Sequence, residues 1–260
     1  MRLFTGTIIA NTAFTIDGYV AHLIELHVPQ LVQAALPGQY FLVRCCHPQA
    51  SDPLLRRPFF IHSIQRKQGN CTLLVFVRGR GTAWLVSQQI GAELDILGPQ
   101  GHGWTLSPMV RNLLLISDMQ LIAALPFLIQ VAIEQELAVT LLCQSSPREN
   151  PYPPALLSPE VEYHIISSEG EMQNGLVQAL DEYLPWADAA YCSVSRETLT
   201  ILYNHFERLR GKNFAQGTVL QPLVCGSGAC FTCSIETHSG SKLICRDGPV
   251  FALREIARES

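Results

Sequence analysis

Short apolar runs separated by turn residues dominate the first hundred residues. Val, Ile, Phe and Leu recur in six segments of strand length, and turn pairs such as Asp17-Gly18 and Gly69-Asn70 lie between them. Runs of this length and spacing are typical of a β-sandwich or a small β-barrel. The pattern therefore predicts an all-β domain over residues 1–107. Its strands are TGTIIANTAFT, YVAHLIELHV, GQYFLVRCC, FFIHSIQRK, CTLLVFVRG and GAELDILGP.

The hydrophobic pattern changes after Pro108. Continuous apolar strands now alternate with segments of helical length, which indicates a parallel sheet with helices on its faces. We predict an α/β domain over 108–211 and a small module over 212–260 that is organised around cysteines. The predicted strands of the α/β domain are NLLLIS, AVTLLCQ, VEYHIIS and ADAAYCS, and its predicted helices span 119–136, 173–183 and 196–209.

Composition and charge exclude some classes of partner. Lys and Arg number only 18 in 260 residues and are not clustered, so we expect no nucleic-acid partner. The apolar stretch 112–134 contains Asp118, Gln120 and Pro126, which favour a buried strand and helix over a membrane span. The first residues lack the apolar core of a secretory signal, and we predict a cytoplasmic protein without a membrane partner.

Four of the nine cysteines form a separate set near the carboxyl terminus. The other five are scattered along apolar runs and are predicted to be small buried side chains; they are Cys45, Cys46, Cys71, Cys143 and Cys192. The set has the spacing C-x4-C-x2-C-x11-C, which fits the [2Fe–2S] site of plant-type ferredoxins. Its members, the predicted metal ligands, are Cys225, Cys230, Cys233 and Cys245.

Glycines inside this segment also suit an iron–sulfur cluster. Gly226 and Gly228 remove side chains where the backbone must wrap closely around inorganic sulfides and adopt positive φ. A structural zinc site is the main alternative, although zinc sites usually pair two C-x2-C units. Disulfides are a third alternative, which a reducing compartment disfavours.

The segment CGSGACFTC…LICRDGPVF resembles the carboxyl-terminal cluster segment of the dihydroorotate dehydrogenase electron-transfer subunit family, within the ferredoxin–NADP reductase superfamily. The resemblance covers nearly the whole chain. It implies a multi-domain β + α/β fold: an FAD-binding β-barrel, a nucleotide-binding-like α/β domain with a parallel sheet, and a small [2Fe–2S] module. The supporting barrel motifs are LPGQYFLVR (36–44), LLRRPFFI (54–61), GRGTAWL (79–85) and LGPQGHGW (97–104).

The resemblance also implies a flavin site with two departures from the family pattern. Phe60 replaces the small hydroxyl residue that meets the flavin ring, and Phe76 aligns with a position that is usually arginine. Arg78 lies two residues further on, on the same strand face, and is suited to replace that arginine. The implied FAD-binding residues are Arg57, Pro58, Phe59, Phe60, Leu74, Val75, Phe76, Gly81 and Thr82.

The nucleotide site departs further from the family. The turn ISDMQLIAALPF (116–127) has no glycine where a pyrophosphate should approach a helix amino terminus, and Asp118 is predicted to cap the following helix. The family's later Cys-Gly-Pro turn is replaced by CSVS (192–195). We therefore expect NAD(H) to bind weakly or not at all.

These features predict an electron-transfer subunit, a component of an oxidoreductase rather than a complete enzyme. It relays electrons through the [2Fe–2S] cluster and FAD to or from a catalytic oxidoreductase subunit in a hetero-oligomer. By resemblance, that partner is a dihydroorotate dehydrogenase of pyrimidine biosynthesis. The alternative is a non-catalytic assembly or redox-sensing subunit with degenerate flavin and NAD sites.

Overall fold

A computed structural model of the chain describes most of its residues. The described ranges are 2–145, 150–167, 172–206, 210 and 214–256.

The amino-terminal domain is a seven-stranded antiparallel sheet with the order β4-β3-β7-β1-β2-β6-β5. Its side chains alternate between a barrel interior and solvent, and Ile8, Ile24, Phe41 and Leu73 lie fully buried inside. The strands are β1 (Arg2–Ile16), β2 (Tyr19–His27), β3 (Tyr40–Val43), β4 (Arg57–Phe60), β5 (Ser63–Gln65), β6 (Asn70–Phe76) and β7 (Glu93–Gln100). Two short helices, α1 (Pro29–Ala34) and α2 (Arg80–Val86), lie between strands.

The predicted all-β domain is confirmed, with one strand more than the sequence pattern indicated. The run FFIHSIQRK contributes the end of β4 and all of β5, and Ile61 and His62 separate the two strands. β4 pairs with β3, whereas β5 pairs with β6 at the opposite edge of the sheet. The chain must therefore leave one edge and cross to the other within this run, which a single continuous strand cannot do.

The second domain is built on a six-stranded sheet with the order β10-β9-β8-β11-β12-β15. The first five strands in this order are parallel, and β15 is antiparallel to β12. The strands are β8 (Asn112–Asp118), β9 (Ala138–Ser145), β10 (Val161–Ser167), β11 (Ala189–Ser193), β12 (Ala215–Thr218) and β15 (Val250–Ala252). The helices are α3 (Pro126–Glu134), α4 (Met172–Tyr183), α5 (Arg196–Phe206) and α7 (Leu253–Ile256).

The prediction of one continuous helix over 119–136 was wrong. A 3-10 helix (Met119–Ala124) precedes α3, which begins at Pro126. Leu125 itself keeps a helical conformation (φ −98°, ψ −36°), but Pro126 has no N–H to donate, so the hydrogen-bond ladder is interrupted between the two helices. Among the described residues, no helix has both the length and the apolar character needed to cross a membrane. The predicted end of the last helix, 207–209, lies outside the described residues.

The cysteine-rich segment lies between β12 and β15. It contains an irregular loop, the hairpin of β13 (Ser234–Thr237) and β14 (Gly240–Leu243), and the short helix α6 (Ile244–Asp247). The predicted boundary after 211 lies outside the described residues. A cluster module that begins at residue 212 would include β12 and β15, but both strands belong to the six-stranded sheet of the second domain. A strand needs a hydrogen-bonded neighbour, and the sheet edge supplies one.

Candidate functional site

The four cysteines of the carboxyl-terminal set lie in two pairs. The Cys225 thiol is hydrogen-bonded to Cys230, and the Cys245 thiol to Cys233. Within the described ranges, no three His, Cys, Asp or Glu side chains are close enough together to hold one metal ion. A [2Fe–2S] cluster has two irons, each held by two protein ligands, so two thiol pairs match its ligand requirement.

Burial differs between the two pairs. Cys233 and Cys245 are buried, whereas Cys225 is half-buried and Cys230 is exposed. One edge of the site therefore faces solvent and the other faces the protein. An electron carrier needs such an exposed edge, because a partner must approach the redox centre closely.

Hydrogen bonding and burial shift the thiol pKa values in opposite directions. Ser227, through its side chain and its backbone N–H at 3.3 Å from Cys225 Sγ, lowers the pKa of Cys225 to about 5. Burial, followed by the neighbouring Cys233, raises the pKa of Cys245 to about 11. Only the thiolate is a good metal ligand, so the site offers one ready anion and one thiol that must release a proton on metal binding.

The glycines of the loop fit the tight turn that a cluster requires. Gly226 and Gly228 have φ values of +66° and +80°, in the left-handed region. A Cβ atom at Gly226 would lie 2.2 Å from Leu42 Cδ1 of β3, so the loop backbone packs directly on the barrel. Glycine is therefore required at 226 for both backbone conformation and space.

Two buried polar atoms of the barrel face this module without a partner. Within the described part of the chain, the Tyr40 hydroxyl and Gln100 Nε2 are buried and make no hydrogen bond. Tyr40 packs in one apolar cluster with Cys233 and Cys245, and Gln100 Oε1 would lie 3.3 Å from a Cβ at Gly226. Buried donors are rarely left unpaired in folded proteins, so this arrangement fits a site made to hold an additional acceptor.

The predicted flavin residues line one cleft of about 380 Å³ between the barrel and the α/β domain, with the exception of Val75. Val75 is fully buried in the barrel core, because side chains alternate along β6 and its neighbours Leu74 and Phe76 face the cleft. The predicted residues that line the cleft are Arg57, Pro58, Phe59, Phe60, Leu74, Phe76, Gly81 and Thr82.

The polar end of this cleft is formed by Arg57 and the turn before α2. A Cβ at Gly81 would lie 3.2 Å from Arg57 Nε, so the guanidinium packs against the helix start. The Thr82 hydroxyl accepts hydrogen bonds from the N–H groups of Arg78 and Gly79 and fixes this turn. An arginine beside the first-turn N–H groups of a helix is suited to a phosphate group.

Arg78 lies at the boundary between the two domains. Its guanidinium lies 5.6 Å from the centroid of the Phe76 ring and 5.9 Å from that of Tyr19, and it donates a hydrogen bond to Gln120 at 2.7 Å. The cation is thus held over aromatic faces on the rim of the cleft. This is the position at which the sequence predicted that Arg78 replaces the family arginine.

A second, more apolar cleft of about 320 Å³ continues from the first toward the cysteines. The two clefts share Pro58, Phe60 and Leu220. Tyr40 and Ile244 line the second cleft, and Ile244 is adjacent to Cys245. A planar ring system that extends from the phosphate end would therefore lie near the cluster site.

The switch point of the parallel sheet opens into a cleft of about 410 Å³ whose lining includes Asp118, Met119 and Ser195. In open α/β sheets ligands bind beyond the carboxyl ends of the strands where the strand order reverses, here between β8 and β11. Asp118 Oδ2 accepts a hydrogen bond from the Ser195 N–H at 2.6 Å across this gap. Met119 is buried, and its sulfur accepts a hydrogen bond from the Tyr152 N–H at 3.0 Å.

The predicted role of Asp118 was wrong. Within the described residues its carboxylate does not cap the 3-10 helix that follows; it instead binds the backbone just before α5. Burial raises the pKa of Asp118, while the Ser195 N–H opposes the rise. A half-buried carboxylate at this point repels the phosphates of a nucleotide, because like charges in a low-dielectric cleft interact strongly.

Comparison with known proteins identifies the cysteine segment. Residues 221–257 match the iron–sulfur cluster binding domain of dihydroorotate dehydrogenase B. The chain is 29% identical over 248 residues to the electron transfer subunit of dihydroorotate dehydrogenase B (NAD(+)) from Desulforamulus reducens, covering 92% of this chain and 93% of the relative. The Geobacillus thermodenitrificans subunit is also 29% identical and covers 85% of this chain and 86% of its own length.

Solved structures resemble the fold over most of the chain. An NADH-dependent reduced ferredoxin–NADP oxidoreductase matches with a TM-score of 0.80 at 18% identity, covering 96% of this chain and 89% of its own. Ferredoxin–NADP+ reductase from Plasmodium falciparum matches with a TM-score of 0.62 at 11% identity, covering 79% of this chain and 91% of its own.

Fold and site together define a protein with the fold of ferredoxin–NADP reductases and a carboxyl-terminal segment that matches an iron–sulfur cluster binding domain. Over most of its length the chain is similar to the electron-transfer subunits of dihydroorotate dehydrogenase B. The family resemblance predicted from the sequence is confirmed.

Sequence reasoning missed the side chains that join the flavin cleft to the cysteines. Tyr40 and Leu220 line the cleft that continues from the flavin cleft, and Gln100 Oε1 would lie 3.3 Å from a Cβ at Gly226. Tyr40 and Gln100 lie within the barrel motifs 36–44 and 97–104, so a signal was present. The direction in which these two side chains face could not be predicted from either segment alone.

Proposed function

We propose that this chain is the electron-transfer subunit of a two-component oxidoreductase. It holds a [2Fe–2S] cluster at Cys225, Cys230, Cys233 and Cys245 and an FAD in the barrel cleft. The partner is a catalytic subunit of the dihydroorotate dehydrogenase type, in line with the names of the chain's relatives. The proposal rests chiefly on two adjoining clefts that extend from the Arg57 end to Ile244, the residue before Cys245.

Each part of the chain has a defined task in this proposal. Arg57 and the turn before α2 bind phosphate, the apolar walls around Phe60 exclude water, and the cysteine loop fixes the metal ligands. Bound FAD and the cluster supply two-electron and one-electron chemistry, while the protein sets their distance and potential. The half-buried and exposed thiols, Cys225 and Cys230, mark the edge that meets the partner.

We further propose that NADH is not the direct source of electrons. Asp118 and Met119 line the switch-point cleft, Asp118 places a carboxylate there, and the segment between them and α3 has no glycine. Another protein then supplies or receives the electrons, and the α/β domain acts as a scaffold. A cytoplasmic location is part of the proposal, because a thiolate-ligated cluster suits a reducing compartment.

Visible and EPR spectra of the anaerobically purified protein test the cofactors. We expect flavin bands, iron–sulfur bands and, after dithionite reduction, the EPR signal of a reduced [2Fe–2S] cluster. Cys245→Ser should remove the cluster signal, whereas Cys46→Ser, a buried thiol outside the set, should retain it. Bound zinc in place of iron contradicts the proposal. A cluster without flavin supports the assembly or redox-sensing alternative instead.

Mixing the purified protein with NADH tests the source of electrons. The flavin absorbance should persist for minutes at millimolar NADH, because the Asp118 carboxylate and the missing glycine turn disfavour a pyrophosphate in the switch-point cleft. Dithionite should bleach the same sample at once, which would show that the bound flavin can be reduced. Bleaching by NADH within the turnover time of a typical enzyme (roughly 0.1 s) contradicts the scaffold role of the α/β domain.

A further inference from the structure

Tyr40 is a buried phenol at the junction of three parts of the molecule. It begins β3, it lines the apolar cleft shared with Phe60, and it packs in one cluster with Cys233 and Cys245. Only 2% of its surface is exposed. Its hydroxyl makes no hydrogen bond to any residue that the structure describes.

A buried hydroxyl without a partner carries a free-energy penalty. An unpaired buried donor loses its hydrogen bond to water without gaining another, whereas a phenylalanine at the same place avoids this cost and keeps the packing. Tyr40 lines one cleft with Ile244, the residue before Cys245, so the phenol lies beside the cysteine segment. A phenol is protonated at neutral pH and can donate a hydrogen bond.

Gln100 repeats this arrangement on the neighbouring strand. It lies opposite Tyr40 in the β3–β7 pairing, and its buried Nε2 also makes no hydrogen bond among the described residues. Its side chain reaches the loop backbone at Gly226. The barrel thus presents two adjacent unpaired donors to the cysteine loop.

We propose that the Tyr40 hydroxyl, supported by the Gln100 amide, donates a hydrogen bond to the sulfur atoms of the [2Fe–2S] site and raises the reduction potential of the cluster. This inference rests on the proposed function, because it needs the cluster to be present. The physical reason is electrostatic. Reduction adds one negative charge to the cluster, and a donor aimed at its sulfurs stabilises the more negative state.

The donors belong to the barrel, whereas the ligands belong to the loop. The hydrogen bond consequently forms only while the cysteine loop is seated on β3 and β7. Tyr40 is a positioning and tuning residue in this account, because it acts on the electron carrier and not on a substrate.

A redox titration of the cluster in the full-length protein, followed by EPR, tests the proposal. Tyr40→Phe should lower the ratio of reduced to oxidised cluster about tenfold at the wild-type midpoint potential, which corresponds to a shift of about −59 mV for a one-electron couple. Gln100→Leu should shift the potential in the same direction by a smaller amount. Tyr191→Phe is the matched control, since it removes a buried hydroxyl that binds Thr105 in the α/β domain.

Deuterium ENDOR gives a second readout that does not depend on potential. Wild-type protein exchanged into D2O should show a deuteron coupled to the reduced cluster, and Tyr40→Phe should lose that coupling. An unchanged potential together with an unchanged deuteron signal in Tyr40→Phe overturns the proposal. A shift confined to the flavin potential also overturns it, since the hydroxyl would then serve the flavin. Wild-type protein without any cluster signal overturns the proposed function itself, which keeps the two failures distinct.

Discussion

Arg57 is one of three arginines that line the barrel cleft, and it lies beside the start of α2. Its Nη1 donates a hydrogen bond to the Leu55 carbonyl at 2.6 Å, and its Nε faces Gly81. The side chain is therefore fixed before any ligand arrives. A fixed guanidinium loses little conformational freedom on binding, and this favours tight recognition of a phosphate.

Arg57→Ala should weaken FAD binding by about tenfold to a hundredfold, because a charge-assisted hydrogen bond to phosphate contributes about 1.5–3 kcal/mol. Fluorescence of the flavin released on dilution measures the affinity. Arg44→Ala is the control, since Arg44 also holds backbone carbonyls, those of Pro48 and Ala50, but lies outside the cleft. Equal FAD affinity in the two variants rules out a phosphate contact by Arg57.

Among the elements, the interruption between β4 and β5 links the two large domains. His62 lies in this interruption and is almost fully buried. Its Nδ1 is 3.0 Å from the Thr72 hydroxyl of β6, and its Nε2 is 2.6 Å from the hydroxyl of Tyr152, which follows β9. One imidazole ring therefore joins the barrel to the α/β domain through a buried hydrogen-bond chain.

His62 should make stability depend on pH between about 6.5 and 4. Burial lowers the pKa of His62 to about 4, so the folded protein keeps the ring neutral. An unfolded chain takes up the proton near pH 6.5, and unfolding is therefore favoured as the pH falls through this window. The loss should reach about 3 kcal/mol at pH 4, from about 1.4 kcal/mol per pKa unit.

Urea titrations followed by tryptophan fluorescence, repeated across this pH range, measure the effect. His62→Gln should flatten the dependence by about the same amount, because glutamine does not titrate. His47→Gln, at an exposed position, should leave the slope unchanged. If the unfolding free energies of the wild-type and His62→Gln proteins depend equally on pH, His62 is not the group that causes the dependence.

At the scale of the whole molecule, the outer face of β3 and β7 is a seat for the cysteine loop. Leu42 touches the loop at Gly226, and Tyr40 packs against the segment near Gly248 and Pro249. An isolated β-bridge between His102 and Pro249 extends the contact beyond β7. The cysteine module is thus held by the barrel as well as by its own sheet, and under the proposed function this contact fixes the distance between the two cofactors.

Gly226→Ala should displace the loop and reduce cluster content, because the new Cβ would lie 2.2 Å from Leu42 Cδ1. Gly228→Ala is the matched control: its φ of +80° is equally unusual, but its nearest neighbour would be 3.6 Å away. It should cost only about 1–2 kcal/mol of backbone strain. Iron and sulfide analysis measures cluster content in both proteins.

The double variant Gly226→Ala with Leu42→Ala separates the clash from the backbone strain. Removing the Leu42 side chain should restore part of the cluster content that Gly226→Ala loses, because the new methyl group then has space. If the double variant loses more cluster than Gly226→Ala alone, the contact with the barrel is not the cause.

Local patterns were sufficient for the parts of this protein that local sequence controls. The C-x4-C-x2-C spacing fixes the cysteine loop because its three thiols and its glycines lie within nine residues. Hydrophobic periodicity likewise predicted the barrel and the alternating α/β pattern. The predictions from sequence were wrong where a residue distant along the chain decides the outcome. Asp118, for example, accepts a hydrogen bond from the N–H of Ser195, which lies on another strand-to-helix connection.

The amino-acid sequence by itself predicted the cysteine set, the type of each domain and eight of the residues that line the barrel cleft. Only the tertiary structure decided that Tyr40 and Gln100 face the cysteines, that Val75 faces away from the cleft and that β12 and β15 join the parallel sheet. The physical reason is the range of the interactions. Turn chemistry and ligand spacing act over a few residues, whereas strand pairing and buried contacts join segments that are distant along the chain.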